Sequence, residues 1–116
     1  MIELPFPAKI LWPNGRGHHM AKHRAAKKHR EWARLAVLAD DGRPFFSPSD
    51  FIQLIITLYP KTRNAIDRDN ALAAMKAYQD GISDAIRVND SHFLTPRLQF
   101  GEPVKNGKVV IEIQAS

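Results

Sequence analysis

Residues 66–90 read IDRDNALAAMKAYQDGISDAIRVND and gather Asp67, Asp69, Asp80, Asp84 and Asp90 in a chain whose formal net charge is +5. Carboxylates this dense repel one another unless positive charge sits among them. Asp67 and Asp69 are two residues apart, so in extended chain their side chains share a side. They stand just ahead of a helical pattern, where the positive end of the helix dipole eases one carboxylate and where Asp69 or Asn70 can cap. Capping accounts for one acid, not two. A hard divalent cation accounts for both, because Mg2+ takes oxygen ligands from a few carboxylates and completes its shell with water. Asp90, in the loop beyond the helix, joins them if the helix packs back across a sheet. The expectation is a site in which Asp67, Asp69 and Asp90 hold one or two Mg2+, with Mn2+ able to substitute. Such an ion polarises a phosphodiester, activates water and stabilises the leaving oxygen. Lys76 lies two turns after Asp69 and one before Asp80, and is the fixed positive partner for charge developing on phosphorus. An i,i+4 ion pair lets Asp80 position that lysine. Asn70 can orient an aspartate by hydrogen bonding.

The surrounding elements follow from periodicity. A helix is expected from about Asn70 to Ile86: Leu72, Met75, Ile82 and Ile86 fall on one side, with Ala71, Ala74 and Tyr78 beside them. Lys76, Asp80, Ser83, Asp84 and Arg87 fall on the other. An earlier helix, about Met20 to Ala39, is rich in Ala, Lys, Arg and Leu and free of Gly and Pro. Its apolar stripe reads Trp32, Leu35, Ala36 and Ala39, and Asp40-Asp41-Gly42 stops it. Ile2 to Leu11, broken by Pro5 and Pro7, reads as an edge strand or extended arm, and 13–17 as a turn. A loop is expected over Arg43 to Asp50. Phe51 to Tyr59 is a buried strand by its β-branched and aromatic content. Phe93 to Phe100 and Val109 to Ile113 are further strands, the last preceded by an Asn-Gly turn.

Composition bounds the function. At 116 residues and 44% hydrophobic, the chain suits one domain, residues 1–116, with a single core. No apolar run approaches the roughly 20 residues of a membrane span, and the first residues lack the pattern of a signal peptide. With no cysteine, thiolate metal sites and disulfides are excluded, which suits the cytoplasm. Between residues 16 and 34 lie Arg16, Lys22, Arg24, Lys27, Lys28, Arg30 and Arg34, with Glu31 as the only acid. This basic segment reads as a phosphate-contacting surface, with binding that weakens steeply in salt. His18, His19, His23 and His29 lack the glutamate of a zinc-binding helix pattern, so no zinc site is expected; protonated, they would add to phosphate affinity. Trp12 and Trp32 are expected in the core. Phe45 and Phe46 are expected in core or dimer packing rather than as a wedge into DNA.

The combined pattern resembles the signature of RusA-type Holliday-junction resolvases, the crossover-junction endodeoxyribonucleases of bacteria and prophages. Asp67, Asp69 and Asn70 match its Asp-x-Asp-Asn start, Lys76 its helical lysine, Asp80-Gly81-Ile82 its next step. Asn89-Asp90 matches its acidic pair, with an amide in the first place and Asp90 carrying the metal-binding role. The segment from Leu4 to Ala33 is similar to the family's Pro-rich strand, Asn-containing turn and basic helix, so the likeness spans most of the chain. It implies an α+β domain: a small, mainly antiparallel mixed sheet with two main helices on one face. It also implies a Mg2+-dependent endonuclease that resolves four-way DNA junctions by paired nicks in recombination and repair. The two-fold symmetry of a junction asks for a homodimer. No membrane and no small-molecule cofactor enter this reading. Two alternatives stand beside it: a DNA-binding module without catalysis, and a Mg2+ nuclease for flaps or forks.

Overall fold

Alternation decides the sheet. In β2 (Ile52–Tyr59), Ile52, Leu54, Ile56 and Leu58 are buried, and the residues between them are half-buried. The computed structural model of the chain describes residues 1–42 and 44–116. Arg43, the first residue of the expected loop, lies outside the described residues. The remaining strands are β1 (Ile2–Leu4), β3 (Arg97–Phe100) and β4 (Lys108–Ala115). They form one sheet in the order β1-β4-β2-β3. β4 is antiparallel to both β1 and β2, whereas β3 runs parallel to β2. Pairing of Ile2 with Ile111, Ile111 with Ile56 and Ile56 with Leu98 draws one buried row across all four strands.

The parallel pair determines where the acids can be. Parallel neighbours need a crossover, usually helical. Here it is α2 (Arg68–Ala74) followed by α3 (Lys76–Ile86), separated by Met75. Every aspartate singled out above lies on this crossover or at its ends. A short 3-10 helix, Asp90–His92, then leads toward β3. The expected strand from Phe93 is therefore shorter, with Phe93 reduced to an isolated bridge to Ile52. The Asn-Gly turn is present, with both residues at positive φ, but it closes no hairpin, because β4 lies on the far side of β2 from β3.

The first helix, α1 (His19–Ala39), buries His29, Ala33 and Val37. The expected stripe is displaced: Leu35 and Ala39 are exposed, Trp32 and Ala36 only partly buried. Packing against α3 causes the displacement. A Cβ on Gly81 would stand 2.1 Å from the Arg30 carbonyl oxygen and 2.9 Å from the Ala33 Cβ, so two of the smallest residues let the helix backbones approach closely. Of the expected apolar side of the single helix, now split into α2 and α3, Ala71, Ala74, Met75, Tyr78 and Ile82 are buried, while Leu72 and Ile86 are only partly so. Trp12 is partly buried against the core and Phe46 is buried, while Phe45 is fully exposed. The N-terminal arm continues past β1 into a 3-10 helix, Lys9–Leu11, and the Tyr78 hydroxyl donates to the Pro5 carbonyl at 2.6 Å, holding the arm against α3.

His29 is a structural residue rather than a surface cation. The Ala8 N–H can only donate and donates to Nε2 at 3.1 Å. The Ala25 carbonyl can only accept, and Nδ1 lies 2.8 Å from it. The neutral tautomer protonated on Nδ1 meets both demands. Burial lowers the pKa, the Ala25 hydrogen bond opposes that, and neighbouring Lys28 adds to the lowering.

Two predictions follow from this packing. Gly81→Ala should lower unfolding free energy by about 2–3 kcal/mol through overpacking against backbone, read by denaturant titration. Because the folded state holds His29 below its unfolded pKa, its contribution is full above roughly pH 6.5 and is lost as pH falls below it. Thermal melts between pH 7.5 and 5.5 should show this decline, and His29→Phe should flatten it while lowering stability at both ends.

Candidate active site

The α1–α3 crossing sets a basic helix beside an acidic one. Arg30 grips Asp84 with two bonds, Nε to Oδ2 at 2.6 Å and Nη2 to Oδ1 at 2.8 Å. The fork-to-carboxylate geometry suits a strong charge-assisted pair. Hydrogen bonding to Asp84 raises the Arg30 pKa, and hydrogen bonds from Arg30 lower that of Asp84. The pair is partly exposed, so solvent discounts its worth to stability. Two turns before Asp84 on α3, Lys76 Nζ lies 3.0 Å from Asp80 Oδ1 and 3.4 Å from Asp90 Oδ2. Its pKa is raised, first by the hydrogen bond to Asp80 and less by Asp90, with partial burial opposing. Lys76 is therefore an ammonium throughout the neutral range, held from two sides. Three of the five aspartates thus have their positive charge from Arg30 and Lys76.

Asp67 and Asp69 are arranged differently. Asp67 is the N-cap of α2, its Oδ1 accepting from the Asn70 N–H at 3.0 Å. Asp69 lies in the first helical turn, and both are exposed. Neither forms an ion pair among the described residues. Arg68, between them, turns the other way. Its Nη1 donates to the Leu98 carbonyl at 2.5 Å, and its guanidinium lies 5.2 Å from the centre of the Phe100 ring. This pins the start of α2 to β3, a role that the carboxylate spacing did not announce. Asn70 contributes its backbone N–H to the cap; Asn89, read above as a replaced acid, caps the 3-10 helix by accepting from the Ser91 N–H at 2.9 Å.

A cation would find two chemistries here. The Asp67–Asp69 pair supplies exposed oxygens of the type that a water-rich Mg2+ takes. Asp90 is engaged by Lys76, and among the described residues no three His, Cys, Asp or Glu side chains are gathered as a metal cage. The acids are thus brought to one crossover, with Asp80 and Asp90 meeting at Lys76.

The basic residues do not form one stripe. Lys22, Lys27 and Arg30 line a cavity of about 740 Å3 between α1 and the crossover, together with His23, Lys76 and Asp80. Its floor is apolar, including Ala26, Ala73 and Ala77. Arg24 and Lys28 face a neighbouring depression with Trp32, and Lys28 Nζ lies 5.3 Å from the centre of a Trp32 ring. Arg34 is paired with Glu31 at 2.6 Å on its own helix. Arg16 stands apart, lining a third cavity near the N-terminal arm. Among the described residues no helix is long and apolar enough to cross a membrane.

No protein-family model matches the chain. An uncharacterized protein of Xylella fastidiosa (strain Temecula1 / ATCC 700964) is 36% identical over 113 residues, which span 97% of this chain and 74% of that protein. At that identity and coverage, the chain belongs to the same family as the Xylella fastidiosa protein.

Proposed function

We propose that the chain is a Mg2+-dependent endodeoxyribonuclease of branched DNA, four-way junctions foremost, acting as a homodimer in recombination and repair. The observation that carries this reading is the position of Lys76. It lines the cationic cavity with Lys22, Lys27 and Arg30, and it also grips Asp80 and Asp90. One side chain therefore joins a surface suited to a polyanion with the carboxylates suited to phosphodiester chemistry. The likeness to RusA-type resolvases supports the same reading.

Asp67 and Asp69 would hold Mg2+; Asp90, paired with Lys76 and not gathered with them, would have to leave that lysine to serve as a third carboxylate. When bound, the ion would supply Lewis-acid polarisation and an activated water. The chain's own residues do the rest. Lys22 and Lys27 neutralise phosphates along the cavity, while Arg30, held by Asp84, adds no free charge. Lys76, fixed in its charged form, stabilises negative charge building on the scissile phosphate. Asp80 restrains Lys76 and so reduces the reorganisation required at the moment of reaction. Arg68 keeps Asp67 and Asp69 at a constant place relative to the sheet.

A second reading, a DNA-binding module without catalysis, draws on a specific observation. Asp67 already caps a helix, and Asp90 is already paired with Lys76. Cleavage of a labelled four-way junction with and without Mg2+ separates the two. Asp69→Asn should cut nicking by roughly two to three orders of magnitude, while junction binding stays equal or tightens. Lys76→Ala should lower kcat roughly a hundredfold with affinity changed much less. Retained cutting by Asp69→Asn would show that the metal site is wrongly assigned. Light scattering should return about twice the 13.1 kDa chain mass, and a value near that of one chain would remove the dimer.

A further inference from the structure

The third cavity has chemistry that the proposed phosphodiester site does not use. It encloses about 530 Å3 beside the N-terminal arm, within the roughly 300–1,000 Å3 of small-molecule pockets. Phe6 and Trp12 form its aromatic wall, their ring centres 5.7 Å apart and their planes 16° from parallel. Lys9, Asn14 and Arg16 line it as well, and no acid does. Ile66 closes it at the residue immediately before Asp67. The cavity's lining therefore ends one residue before Asp67.

Its aromatic wall is fixed in place. The Trp12 indole N–H donates to the Pro7 carbonyl at 3.3 Å. Phe6 is backed by the turn before β4, where a Cβ on Gly107 would come within 2.8 Å of its ring. The opposite lip is closed by the Trp12–Gly15 turn, in which the Gly15 N–H donates to the Trp12 carbonyl at 2.8 Å. A Cβ on Gly15 would stand 2.2 Å from the Lys9 carbonyl oxygen, so this lip requires glycine. By contrast, the Asn14 amide and Arg16 guanidinium make no hydrogen bond or ion pair among the described residues.

Partly buried aromatic rings, an amide with both donor and acceptor, and cations without acids are the features that recognise an unpaired nucleotide. Aromatic faces stack on a base, an amide can meet its Watson–Crick edge, and the cations receive its phosphate. We infer that this pocket binds one unpaired nucleotide of the DNA, its base extending the Phe6–Trp12 stack and its phosphate on Lys9 and Arg16. A strand held this way would run past Ile66 toward Asp67. The inference rests on the nucleic-acid reading of the preceding subsection and adds to it a requirement for a base.

The test compares two short single strands with the same number of phosphates: oligo-dT and its abasic counterpart. Fluorescence anisotropy at low salt should show oligo-dT bound about tenfold more tightly, as expected for one well-stacked base. Trp12→Leu should abolish that preference and Trp12→Phe should keep most of it. Arg16→Ala should weaken both strands alike. Where circular dichroism shows Trp12→Leu unfolded, wild-type protein and a 5-iododeoxyuridine strand provide the second measurement. Photocrosslinks should map to residues 5–16, and crosslinks confined to α1 would overturn the pocket. Equal affinity of wild-type protein for the two strands would overturn it too, leaving the cationic cavity's role intact. Binding of neither strand would overturn the pocket, and the nucleic-acid reading beneath it falls only if a four-way junction is unbound as well.

Discussion

Close approach of α1 to α3 is the constraint on which the rest of the arrangement depends. Gly81 and Ala33 leave almost no side chain at the crossing, so the two helix backbones approach nearly to contact. The Arg30–Asp84 fork then spans the same crossing at the surface. Burial and charge pull in the same direction there. The closeness places the cations of α1 opposite Lys76 and Asp80, and a larger residue at either small position would part the walls of the cavity between them.

Charge in the crossover is organised in two tiers. Asp80, Asp84 and Asp90 have partners in Lys76 and Arg30, so their mutual repulsion is balanced within the fold. Asp67 and Asp69 form no ion pair among the described residues; Asp67 caps the N-terminus of α2, and Arg68 between them is committed to β3. This division answers the puzzle of an acidic centre in a basic chain. Most of the acids secure cations in fixed places, and two remain facing solvent at the start of a helix.

Much of this was legible in the sequence. The wheel of the second helix separated Tyr78 and Ile82 from Lys76 and Asp80 correctly, because an amphipathic pattern reports the face that is buried. The i,i+4 relation of Lys76 to Asp80 was likewise local and readable. What escaped depended on partners distant in sequence. The stripe through Leu35 missed the buried face of α1, since Gly81 rather than hydrophobicity determines which turn of α1 touches α3. His29 looked like one of several surface cations, yet the Ala8 N–H, 21 residues away, makes it a buried acceptor. An Asn-Gly turn suggests neighbouring strands, but β4 enters between β1 and β2, a matter of topology that the turn cannot encode. The joint grip of Asp80 and Asp90 on Lys76 needed the 3-10 helix to bring Asp90 back, a path that spacing alone does not describe.

The glycine-lined crossing has a mechanical consequence. Helices whose backbones already touch cannot close further, and the arginine fork resists their opening. The channel between them then behaves as a caliper with fixed jaws: a ligand must adapt its own shape to the gauge. For a flexible strand such adaptation is easy, whereas a stiff duplex would have to be distorted or approach from outside.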